Sequence, residues 1–179
     1  MIAVVVIVIV AVGSLAAWRG TRPNLRFTSG TPGDVRELAT QAWQRFATAF
    51  PDRSACLEGV TVGVAWDLRD RARYEPSGAL VLIRAPGTAA NLEASLLHEF
   101  AHHVEHVCPP SIAFRQRFVA AGLLPPGTPW RGGDHWDRIP SERFAEAAVL
   151  LVLGEPPPHI QIQLHRAEVA MVAVWAGDG

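Results

Sequence analysis

The chain has 179 residues, enough for one domain with a sizeable core and too few for two comfortable ones. It sets 16 Lys and Arg against 17 Asp and Glu, for a formal charge of −1. No basic run or stripe is present to follow a phosphate backbone, so nucleic acid is excluded as an expected partner.

The chain opens on an apolar run from Ile2 to Trp18, interrupted only by Gly13 and Ser14. At about 1.5 Å per residue this run covers roughly 26 Å as a helix, slightly under a hydrocarbon core of about 30 Å. Residues 1–18 are therefore expected to be a transmembrane or signal-anchor segment. Arg19, Arg22 and Arg26 follow the run and favour a cytoplasmic domain by the positive-inside rule. The two cysteines, Cys56 and Cys108, point the other way, since an even count after an export-like start suits one structural disulfide. The expectation is a membrane-anchored or secreted protein with its domain outside the cytoplasm and Cys56 bonded to Cys108.

Gly20, Pro23, Gly30 and Pro32 make residues 19–32 an expected linker, and the folded domain is expected over 33–179. Val35, Leu38, Ala42, Phe46 and Ala49 recur at helical spacing before Pro51, which predicts a helix over 34–50. Val60 to Trp66 and Ala79 to Arg84 read as strands joined by a polar loop. Leu92, Leu96, Phe100, Val104 and Val107 form the stripe of a long helix that Pro109 and Pro110 forbid from continuing. A shorter helix over 112–121 is stopped by Gly122, and a Pro- and Gly-rich loop with Trp130 follows. Ser141 is the expected N-cap of a helix over 142–153 stopped by Gly154, and a last helix covers about 165–175. The fold class is α+β.

The long helix carries His98-Glu99-Phe100-Ala101-His102, the pattern His-Glu-x-x-His in its required helical context. Residues four apart face the same way, so His98 and His102 can grip one ion. Glu99, about 100° round the helix, reaches the edge of the coordination sphere and is the expected general base toward a zinc-bound water. A catalytic zinc wants a third protein ligand. Cys108 stands ten residues after His98, but Glu105 occupies the place where that arrangement needs a glycine turn. A carboxylate from the downstream helix, Glu142 or Glu146, is the better candidate. His103 and His106 are expected at the surface or beside the ligands, Glu105 as solvated, and His159 and His165 as structural or exposed. Trp130 and Trp136 suit either the core or a cleft.

His-Glu-Phe-Ala-His followed some 40 residues later by Glu142-Arg143-Phe144-Ala145-Glu146-Ala147 resembles the gluzincin branch of zinc metallopeptidases. Small bacterial peptidase-like families and the catalytic domain of anthrax lethal factor share that arrangement. The resemblance covers about Val60 to Gly154 and implies a zincin-like domain with a small sheet, a metal-binding helix and a glutamate helix. It implies Zn2+ held by His98, His102 and Glu142, with Glu146 supporting a ligand histidine. In the lethal factor domain a tyrosine seven residues before the ligand Glu aids the oxyanion. Here His135 stands in that place, which makes it the second expected catalytic residue beside Glu99. The strand over 79–84 resembles the edge strand on which such enzymes lay a peptide. The expected activity is zinc-dependent hydrolysis of peptide or protein substrates. The alternative is a non-catalytic membrane-anchored binding module of the same fold.

Overall fold

The computed structural model describes residues 24–157 and 162–177. The expected membrane segment 1–18 and His159 lie outside these residues. Among the described residues no helix is long and apolar enough to cross a membrane.

Strands β1 (Leu25–Phe27), β2 (Val60–Ala65), β3 (Ala72–Glu75) and β4 (Leu80–Arg84) form one sheet in the order β1-β2-β4-β3. The first three in that order run parallel, and β3 closes the sheet antiparallel to β4. Side-chain alternation along a strand gives the sheet one apolar face: Val60, Val62, Val81 and Ile83 are completely buried, while Thr61, Leu80 and Leu82 remain partly exposed. Burying each of those four contributes roughly 2 kcal/mol.

Two sequence expectations change here. The sheet begins inside the segment expected as linker, because Leu25 and Phe27 pack against the core and β1 pairs with β2. The segment expected as a polar loop between two strands holds β3, so the strand over 79–84 is interior and β3 is the edge.

Among the described residues, five α-helices follow or flank the sheet: α1 (Gly33–Ala49), α2 (Ala89–Val107), α3 (Ile112–Ala121), α4 (Pro140–Leu153) and α5 (Arg166–Ala176). Central α2 packs on α1, α4, β3 and β4. Thr88 caps its start by accepting from the Asn91 N–H, and it ends just before Pro109. An aromatic seam fills the helical layer. Phe46 stacks on Phe50 at 4.4 Å between centroids, Trp43 meets Phe100 edge-on at 4.8 Å, and Phe144 meets Trp175 at 5.4 Å.

Helix α4 starts one residue before the expected cap. Ile139 is at the cap position and Pro140 at the first turn, where a missing N–H costs nothing. Ser141 is instead buried within that turn. The helix stops at Gly154, whose φ of 74° is the left-handed conformation a glycine adopts without strain.

Two further ties hold this frame together. Cys56 and Cys108 are joined in a disulfide between the turn before β2 and the end of α2. Arg143 of α4, 6% exposed, donates two hydrogen bonds to fully buried Glu168 of α5, at 2.7 and 2.6 Å. Its Nη1 also donates to the Asp137 carbonyl at 2.9 Å, which anchors the short turn Trp136–Arg138 over the start of α4.

Candidate metal centre

The second half of α2 is buried almost all round, because the sheet, α1 and α4 all contact it. His98 and His102, one helical turn apart, lie on the side that faces α4, and Glu142 comes from the first turn of α4. The atoms His98 Nε2, His102 Nε2 and Glu142 Oε2 form a triangle with sides of 3.2, 3.1 and 3.4 Å. A tetrahedral ion with ligands at about 2.0–2.1 Å separates them by roughly 3.3–3.4 Å. The 3.4 Å side matches that spacing and the other two fall slightly short of it, and these residues are the cluster able to hold a metal among the described residues.

The other ring nitrogens are also aimed at carboxylates. His98 Nδ1 stands 3.4 Å from Glu146 Oε1, and His102 Nδ1 stands 3.7 Å from Glu105 Oε2. A carboxylate on the far nitrogen favours the Nδ1–H tautomer and leaves Nε2 as a lone pair. Two imidazole lone pairs and a carboxylate oxygen then converge on one point. That is a set of acceptors that suits a cation. The neighbouring Trp136 Nε1 donates to Glu142 Oε2 at 2.8 Å, and its ring stacks on His98 with centroids 5.9 Å apart.

Burial alone would depress His98, but hydrogen bonds to Glu142 and Glu146 outweigh it and push its pKa up to about 10. Burial likewise opposes, and Glu105 and Glu142 outweigh, the upward shift of His102. Burial would raise Glu142, yet the two histidines hold it far below the usual carboxylate range. Without a metal, protons supply the positive charge that these carboxylates require.

Glu99 is 7% exposed and borders the same cleft. Burial raises its pKa, opposed by His98 and His102 and by the backbone of Tyr74 in β3. Tyr74 is itself held from below. His103 Nε2 must donate to the Glu58 carbonyl at 3.0 Å, which leaves Nδ1 to accept from the Tyr74 hydroxyl at 3.0 Å. Burial pushes the Tyr74 hydroxyl up to about 12 and pushes His103 down, so both stay neutral. The pair pins the edge strand to α2 and thereby positions Glu99.

Glu105, expected to be solvated, is not. It is completely buried, and its Oε1 accepts from Trp130 Nε1 at 2.6 Å and from Arg131 Nη2 at 2.8 Å. Its Oε2 has no hydrogen-bond partner and faces His102. His102 and Glu105 are three apart on one helix, a spacing that brings side chains together, so the contact had a sequence signal. His103 is fully buried rather than at the surface, and Cys108 is in the disulfide, so neither is a ligand. His106 and His165 are exposed.

A cleft of about 820 Å³ opens over these residues, with β3 along one side and the Arg131–Trp136 segment on the other. Trp136 lines it and is 39% exposed, while Trp130 packs partly buried against the core. His135 does not line the cleft; it is exposed at the start of the turn, and Trp136 beside it makes the contact with Glu142. No protein-family model matches the chain, and no curated protein or solved structure matches it either.

Proposed function

We propose that the chain is a zinc-dependent metallopeptidase of the gluzincin type, in which His98, His102 and Glu142 hold the metal and Glu99 is the general base. The observation that carries this is the triangle of three ligand atoms at tetrahedral spacing, with a buried carboxylate next to it on the same helix. When bound, zinc supplies a Lewis acid that polarises a carbonyl and acidifies a water molecule.

The chain's own residues do the rest. Glu146 and Glu105 hold the two imidazoles in the tautomer that presents Nε2. Glu99 takes a proton from the attacking water at its carboxylate and returns one to the leaving amine. Among the described residues no strand pairs with the outer edge of β3, and β3 borders the cleft. An extended peptide adds to such an edge through main-chain hydrogen bonds, which sets its scissile bond beside Glu99. Export of the domain, anchored through residues 1–18, belongs to the same proposal, and the Cys56–Cys108 bridge supports it.

The test is metal analysis of the full chain purified in detergent, followed by mass spectrometry of a peptide mixture incubated with and without a chelator. One zinc per chain and chelator-sensitive new termini are expected. Zinc without cleavage would favour a metal-holding binding module of the same fold, and no zinc would remove the proposal.

A further inference from the structure

The chain has no lysine, so all 16 of its basic residues are arginine. Five of them, Arg69, Arg71, Arg73, Arg84 and Arg131, line the one cleft over the candidate metal centre, in a molecule whose net charge is −1. Against them the cleft sets four carboxylates, Asp70, Glu99, Glu142 and Glu146. Five against four leaves one positive charge, and a divalent ion brings the cleft to about three. The carboxylates are also the less available groups, because all but Asp70 belong to the metal centre.

The arginines differ in what the fold asks of them. Arg84 donates to the Arg69 carbonyl at 3.1 Å and Arg131 to Glu105 at 2.8 Å, so both serve the structure. Arg73 pairs only with Asp70, at 2.8 Å, and both side chains are more than half exposed, which makes the pair weak and exchangeable. Arg69 and Arg71 are exposed and have no side-chain hydrogen bond or ion pair among the described residues. Three guanidinium groups on and just before the edge strand therefore have no structural task that explains them. Guanidinium pairs with carboxylates through two parallel hydrogen bonds, and it is less strongly hydrated than ammonium.

We propose that the cleft selects acidic peptides, with Arg69, Arg71 and Arg73 holding Asp or Glu side chains of a substrate extended along β3. The proposal rests on the peptide-binding reading of this site. One exposed ion pair changes affinity by about two- to fivefold, so several acting together give a preference of roughly tenfold or more. The same charges repel Lys- and Arg-rich peptides, which is specificity by exclusion.

Binding is measured by fluorescence anisotropy on the full chain carrying Glu99→Gln and loaded with zinc. The probes are a labelled Glu-rich peptide and its Gln isostere, each with an amidated C-terminus. The acidic peptide should bind at least about tenfold more tightly at low salt, the margin shrinking as ionic strength rises. Adding Arg69→Gln and Arg71→Gln should cut the ratio to about threefold or less, and the ratio is insensitive to any general loss of protein or zinc. Equal binding of the two peptides would overturn the proposal. So would stronger competition by an oligonucleotide of equal charge. Cleavage by the Glu99 protein is scored separately: preference without cleavage counts against the peptidase, and cleavage without preference counts against the acidic substrate.

Discussion

Glu105 offers the sharpest perturbation, because it touches the metal centre only through His102. Glu105→Gln keeps the oxygen that accepts from Trp130 and Arg131 but places an amide NH2 opposite His102 Nδ1, where the carboxylate oxygen stood 3.7 Å away. Two unit charges at that distance attract by roughly 4–5 kcal/mol at an effective dielectric near 20. A neutral imidazole bound to a metal carries only part of a charge, about a third to a half, which leaves about 1.3–2.5 kcal/mol. That corresponds to a roughly 10- to 70-fold loss of zinc affinity, inside the range of about 10- to 100-fold seen when a partner behind a metal-bound histidine is removed. The fold should lose only about 1–2 kcal/mol, since both donors keep an acceptor. Competition against a chromophoric chelator gives the zinc affinity, and a urea titration of the metal-free protein gives the stability. A zinc affinity within twofold of the parent would refute the orienting role of Glu105.

The two glutamates of α4 should separate by the same assay. Glu142→Ala strips most zinc at limiting metal and abolishes cleavage, whereas Glu146→Gln keeps zinc at excess metal with a 10- to 100-fold weaker affinity; the reverse order would place the ligand one turn later on the helix. Alkali should destabilise the metal-free protein. His98 has a folded pKa of about 10, above its unfolded value, so its contribution is complete below about pH 6.5 and is lost as pH rises toward 10. Tm measured with chelator should fall across that window and fall less with zinc bound, while a rise in the metal-free protein would contradict the assignment. His135→Ala should change kcat by less than about twofold, because the side chain is outside the cleft. Trp136→Phe, which removes a hydrogen bond to Glu142 worth about 1 kcal/mol, should weaken zinc binding roughly fivefold, and equal effects of the two substitutions would return the loop assignment to question.

The parts of this molecule that follow a long period were legible in the sequence. The stripe from Leu92 to Val107 and the double proline after it locate α2 within three residues of its start, and the spacing of His98 and His102 fixes their shared face. The strands that escaped reading are short. Leu25–Phe27 and Ala72–Glu75 have three and four residues, and an edge strand buries only one face against one neighbour. In β3 that leaves Ala72 and Tyr74 as the whole apolar signal, set among arginines and Glu75. Counting back seven residues from Glu142 reaches His135, and that count does not register the 3-10 turn that brings the next residue, Trp136, onto Glu142. Glu105 was misplaced for a different reason. Its burial depends on Trp130 and Arg131, which arrive from a loop 25 residues downstream, and no local periodicity encodes that return.

In the proposed peptidase, Glu99 moves protons for a metal it does not hold. Peptide cleavage by the parent chain and by Glu99→Gln, each with its zinc content measured in the same sample, separates proton transfer from metal binding. An amide cannot act as the base but leaves His98, His102 and Glu142 in place, so equal zinc with at least about a hundredfold loss of turnover is the expected result. Undiminished cleavage at equal zinc, or loss of zinc together with activity, would contradict it.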